Sequence, residues 1–227
     1  SVFTAFFINM FTPFEASASN IFWIFLGYLV LHGLLNTFGV NLVKTLSDVS
    51  VWWHVIGVLV IFVVLLVVPD NREGFAFVGE FRNTTGWNSS IYVFLLGFLL
   101  AQYTITGFDA SAHVSEETVG AATEAPKAIV RSIYVSAIAA LLLNVAMIQA
   151  TPKGQCDTIA GGFLNAAPVL FLQAVGSALA KLLLFIAIVG QFFCGMASVT
   201  ANSRMIFAFA RDGGLPASKL WAKINPK

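Results

Sequence analysis

The chain has 227 residues, a formal net charge of +1, 58% hydrophobic residues and only 10% charged ones, with a mean hydropathy of +0.86. A soluble domain carries charge on about a quarter of its residues, so this composition excludes a water-soluble globular protein, and the lack of a basic tract excludes a nucleic-acid binder. With 22 Phe and 18 Gly spread through its apolar runs, it reads as an all-α polytopic membrane protein, one transmembrane domain over residues 1–227.

A helix that crosses a bilayer needs roughly 20 apolar residues. Residues 1–11 are apolar from the start, with no charged n-region or cleavage site, and read as the tail of a partial span in a piece of a longer protein. Full spans are expected at about 21–43, 49–68, 91–113, 128–150 and 178–202. TPFEASASN, KTLSD, PDNREGFAFVGEFRNTTGWNSS, VSEETVGAATEAPK and TPKGQCDTIAGGFLNAAP separate them. The last of these is expected to fold back as short surface helices, best at 167–176. Cys156 falls in that polar loop and Cys194 in an apolar helix, so no disulfide framework is expected.

Alternating loops place Lys44, Lys127, Arg131, Arg204, Arg211, Lys219, Lys223 and Lys227 on one side, and Arg72, Arg82, Lys153 and Lys181 on the other. The richer side is expected in the cytoplasm. The sequons Asn83-Thr84-Thr85 and Asn88-Ser89-Ser90 then fall outside, in weak support.

The run IYVFLLGFLL leads into TGFDASAHVSEET. Gly107 lowers helix propensity, and Asp109 and Ser111 compete for backbone hydrogen bonds. Unwound backbone survives in a membrane only beside protein or a wet cavity. A break there frees carbonyls for an ammonium group and N–H donors for an anion, as a zwitterion needs. Phe108 is placed to close over such a ligand. The bland alternative ends the span at Gly107. The 17 residues from Ile91 to Gly107 are short for about 30 Å of hydrocarbon, whereas continuing to Val114 restores a full length.

His54, in SVWWHVIGVLV, is an ionisable group near the start of its span and a candidate for a proton or ion path; neutral packing is the alternative, more strongly so for His32. Ser198, Thr200, Asn202 and Ser203 form a polar face that suits close helix packing or oxygen coordination of a cation. Arg204, Arg211 and Asp212 precede GGLP, a helix stop; they read equally as a solvated end or as gating charges. No HExxH or GxSxG occurs and the three histidines lie on different spans, so an enzyme is not expected. No ring of like charges or filter motif suggests a channel.

GFDASAHVSEET with EAPKAIVRS, and QFFCGMASVTANSRMIFAFARDGGLP, resemble the sixth and eighth helices of the amino acid–polyamine–organocation superfamily, in its amino acid/choline transporter branch of GABA permeases and bidirectional amino acid transporters. SDVSVWWHVIG resembles the start of the fifth helix. The resemblance implies a fragment of a LeuT-type five-plus-five inverted-repeat transporter, from the end of the third helix to just past the eighth. It implies a break at Gly107, Phe108 and Asp109, with Ala110, Ser111 and His113 on the resumed half of the substrate site. Some proton-coupled relatives carry a lysine early in the fifth helix, and His54 falls nearest that role. Glu116 and Glu117 are candidates for pairing with basic groups at the inner gate, alongside Ser198, Asn202 and Arg204 as coupling or gating residues. The expected partner is an amino acid or related amine, with choline or polyamine as the runner-up and a non-transporting receptor or channel-like bundle further behind. The expected location is a plasma or organellar membrane. No cofactor or metal is implied beyond H+ or Na+ coupling.

Overall fold

The computed structural model describes the chain apart from Thr84 and residues 162–165 and 224–227; the side chains of Val40, Leu100, Ala101, Tyr103 and Glu117 also lie outside the description. The described residues form helices α1 (Val2–Asn9), α2 (Ala18–Phe38), α3 (Val40–Val67), α4 (Ser90–Thr104), α5 (Ala110–His113), α6 (Ala121–Ala150), α7 (Cys156–Gly161), α8 (Ala166–Arg211) and α9 (Ser218–Trp221), with short 3-10 turns at Phe75–Gly79 and Ser115–Glu117. The only β pairing among them is an isolated bridge between Arg72 and Pro152. Four helices, α2, α3, α6 and α8, are long and apolar enough to cross a membrane, and α4 contributes a shorter apolar stretch. The protein is an all-helical, multi-pass membrane protein. Trp23, Leu59, Phe98 and Leu141 are exposed around the bundle, as side chains facing lipid tails would be.

The helix ends follow local chemistry. Ser17 caps α2, its hydroxyl accepting from the Asn20 amide at 3.3 Å, which satisfies one orphan donor of the first turn. The Ser89 hydroxyl does the same for Tyr92 at the start of α4. Gly120, at φ +70°, sits ahead of α6. The turn between α2 and α3 falls at Gly39, not at the polar run KTLSD. A Cβ on Gly39 would stand 2.9 Å from the Leu35 carbonyl oxygen, so the chain can bend there only without a side chain. KTLSD, with no such breaker, joins the first turns of α3. The region 166–175 forms a separate helical stretch, because Gly176 departs from helix at φ 75°, ψ 171°.

Two apolar clusters hold the long helices together. Ile61, Leu65, Ala146, Ala150, Phe171, Leu183 and Leu184 join α3, α6 and α8 at one end. Val43, Phe193 and Met196 join α3 and α8 at the other. Polar ties cross the same interfaces: the buried Gln149 amide donates to the Leu65 carbonyl at 2.7 Å, and the Trp53 indole donates to the Ile186 carbonyl at 3.0 Å. Beyond the first cluster the connection after α3 is clamped onto the end of α6, the Glu73 amide donating to Thr151 O at 2.9 Å and the Gly154 amide to the Glu73 carboxylate at 2.8 Å. Trp53→Phe keeps the ring and removes only the N–H. It is expected to cost about 1 kcal/mol, read as a lowered melting temperature of the purified full-length protein.

Candidate functional site

The helix entering TGFDASAHVSEET stops at Thr104. At 1.5 Å per residue its 15 residues span about 22 Å, less than the roughly 30 Å of a hydrocarbon core. Residues 105–109 form turns, with Gly107 at φ +91°. Only a residue without a Cβ holds that conformation at low cost. The Ala110 amide donates back to Gly107 O at 3.0 Å and the Ala112 amide to Asp109 O at 2.8 Å, closing the single turn α5. Its four residues are too few to build a helix dipole, so anion donors here would be those of a turn. Phe108 is exposed beside the break and nothing lies within 4 Å of a Cβ placed on Gly107. The Asp109 carboxylate meets His113 Nε2 at 3.2 Å, one turn on, and Ser111 is partly buried between them in sequence.

Past α5 the chain is tied to the end of α8. The Arg211 guanidinium donates two parallel hydrogen bonds to the Glu116 carboxylate, at 2.9 and 2.8 Å, and a third to Asp212 at 3.2 Å. Behind this pair lies a cavity of about 350 Å³, lined among others by His113, Ser115, Glu116, Ser203, Arg204 and Phe209. The structure therefore brings His113, Glu116 and Arg204 together at the basic end of the bundle. The Glu117 side chain lies outside the described residues.

Ser198 and Asn202 face elsewhere. They line a second cavity, of about 340 Å³, between α1, α2 and α8, together with Tyr28, His32 and Gln191. His54 sits apart again, in a groove between α3 and α8 beside Gly190 and Cys194, its Nδ1 2.7 Å from Ser50 O. Tyr28 and Asn36, which the sequence reading did not single out, join His32 on the α2 face beside the second cavity. His32 is 6% exposed. Asn36 donates to His32 O at 2.9 Å and accepts from the Thr200 hydroxyl. The Tyr28 hydroxyl meets the Thr4 hydroxyl at 2.8 Å. Tyr28, His32 and Asn36 recur every four residues, so they share one face of α2. That periodicity was the available signal.

The family model for amino acid permeases matches residues 1–227. The chain belongs to the amino acid permease family. Its relatives include the amino-acid permease BAT1 of Arabidopsis thaliana, 36% identical over 88% of this chain and 41% of that protein. They also include the GABA-specific permease of Saccharomyces cerevisiae, 26% identical over 94% of this chain and 38% of that protein. A putative polyamine transporter of Candida albicans is 26% identical over 94% of this chain and 40% of its own length. The chain thus spans about two fifths of the length of these relatives. No solved structure matches it.

The Glu116–Arg211 ion pair is acid-sensitive. The Arg211 guanidinium, through its hydrogen bonds and then its charge, holds the Glu116 carboxyl below the usual carboxylate range. The pairing contribution is complete above that usual range and is lost as pH falls through the depressed value. Both side chains are half-exposed, so salt also weakens it. Spin labels at Val119 and Ile206 of the full-length protein are expected to move apart on acidification below the carboxylate range. Glu116→Gln is expected to show the wider distance at every pH.

Proposed function

We propose that the full-length protein is a secondary transporter that carries amino acids or related amines across its membrane by alternating access. The observation that carries the reading is the interruption of an apolar helix at residues 105–109, with Gly107 at φ +91°, inside a chain of the amino acid permease family. Interrupted backbone at membrane depth is stable only where it lines a cavity or protein. There its unpaired carbonyls accept from a substrate ammonium group and turn amides donate to a carboxylate. In this reading Gly107, Asp109, Ala110 and Ser111 shape the docking site and Phe108 closes over the cargo. The Glu116–Arg211 pair, 2.8 Å at its shorter contact, latches the basic end and parts as the inward path opens. His113 and Arg204 line the exit.

The test is uptake of radiolabelled GABA, alanine, arginine and choline by the purified full-length protein in liposomes. Saturable accumulation of at least one amino acid is expected. Transport of choline alone would move the assignment to the amine runner-up, and substrate binding without any flux would favour a receptor.

A further inference from the structure

We propose that His32 is the proton-carrying group of this permease, exchanging its proton with water in the cavity between α1, α2 and α8. The proposal rests on the transporter reading above and names the ion and the residue that would couple it.

His32 lies in the second half of α2 (Ala18–Phe38). It is 6% exposed, and its Nε2 is buried with no hydrogen-bond partner. An unsatisfied polar atom at such a site costs free energy, and intramembrane ionisable groups that face a cavity mark ion and proton paths. The ring is fixed on all other sides. Phe192 stands 4.7 Å away and Tyr28 stacks at 6.1 Å, 11° from parallel. A Cβ on Gly195 would fall 2.6 Å from Cε1 and 3.0 Å from Nδ1, so α8 presses on the Cε1–Nδ1 edge through a glycine. In the neutral ring one nitrogen carries the hydrogen and the other keeps a lone pair, so a water reaching the unpartnered Nε2 can exchange a proton with the ring.

The cavity supplies the route. His32 lines it with Tyr28, Gln191, Ser198 and Asn202. Gln191, Gly195, Ser198 and Asn202 follow one another at helical spacing along one face of α8. Ser203 and Arg204, on other faces of α8, line the separate cavity at the basic end. Hydroxyls and amides therefore lie along α8 beside the imidazole as far as Asn202. A volume of about 340 Å³ holds several waters, each occupying about 30 Å³ in the liquid.

Among the described residues, Tyr28 is the only other titratable side chain that lines this cavity with His32. On its own helix Tyr28 stacks against it. α1 presents Ser1 and Thr4 to the cavity, without a titratable side chain. α8 carries Cys194, which lines the separate groove with His54, and Arg204, which lines the other cavity at the basic end. α3 brings His54, on the other side of Phe193 at 6.5 Å.

The experiment uses the full-length permease in liposomes loaded with a pH-sensitive dye, and reads protons moved per amino acid taken up. Wild type is expected to acidify the lumen as substrate enters. His32→Gln is expected to lower the proton-to-substrate ratio about tenfold or more by removing the titrating ring. Asn202→Leu, which blocks the route and leaves the imidazole in place, is expected to lower it too and serves if His32→Gln does not reach the membrane. A ratio unchanged in these variants overturns the proposal, as does one that falls with His54→Gln and not with His32→Gln. Uptake by wild type that follows sodium and moves no protons overturns it as well. Wild type that takes up no amino acid fails the transporter reading itself, which separates the two.

Discussion

Gly107→Leu in the full-length permease is expected to reduce amino acid uptake to background while the protein still reaches the membrane. Gly107 holds φ +91°, where an L-residue pays about 1–2 kcal/mol. No neighbour lies within 4 Å of the added Cβ, so the cost is conformational and not a clash. Leucine is also a strong helix former. The substitution pushes residues 105–109 toward joining α4 to α5 and closing the gap that would receive substrate. The expected pattern is a large loss of transport with a small loss of stability. Gly107→Ala, which adds the Cβ with less bulk, should fall between. Uptake of every substrate at wild-type rates in Gly107→Leu would remove the break from the mechanism.

The second large effect is on stability. Gly195→Ala is expected to destabilise the α2–α8 crossing by about 1–3 kcal/mol, the range for overpacking a filled interior. The new methyl would stand 2.6 Å from His32 Cε1. That ring cannot swing away, because Phe192 and Tyr28 hold its faces and the Asn36 amide ties the His32 carbonyl at 2.9 Å. Gly57→Ala makes the same 2.6 Å approach, but to the Ile186 Cγ2 methyl, on a side chain that borders open grooves beside α3 and can rotate into them. It is expected to cost less. The pair Gly195→Ala with His32→Ala should recover part of the loss, since the two side chains compete for one space. Melting temperatures of the four proteins check this. Equal losses for Gly195→Ala and Gly57→Ala would show that the histidine ring is not rigidly held.

The membrane architecture was legible because apolar length is a strong signal, and the break was legible because glycine and aspartate interrupt an apolar run. What lay beyond pattern reading came from tertiary context. The α2–α3 turn sits at Gly39 because of a steric limit set by Leu35 O, which composition does not express. α6 starts at Ala121, in a stretch that reads as loop, because Gly120 starts the helix and Glu124 pairs with Lys127 at 2.8 Å. The partnership of Glu116 with Arg211 joins positions 95 residues apart, a separation across which local spacing carries no information. Ser198 and Asn202 stood out as polar residues, yet only the packing of α8 on α2 separates their cavity from that of His113, Glu116 and Arg204. His32 read as core filling by itself; the four-residue spacing of Tyr28, His32 and Asn36 would have placed it on a polar seam.

The most direct measurement concerns the break itself. In the full-length permease with native cysteines, including Cys156 and Cys194, replaced by serine, Phe108→Cys is exposed to a membrane-impermeant thiol reagent with and without a transported amino acid. The account predicts modification from water at a rate that falls severalfold at saturating substrate, because the gap at residues 105–109 is wet and substrate fills it. A thiol that never reacts, or one whose rate ignores a substrate the protein demonstrably carries, would contradict it.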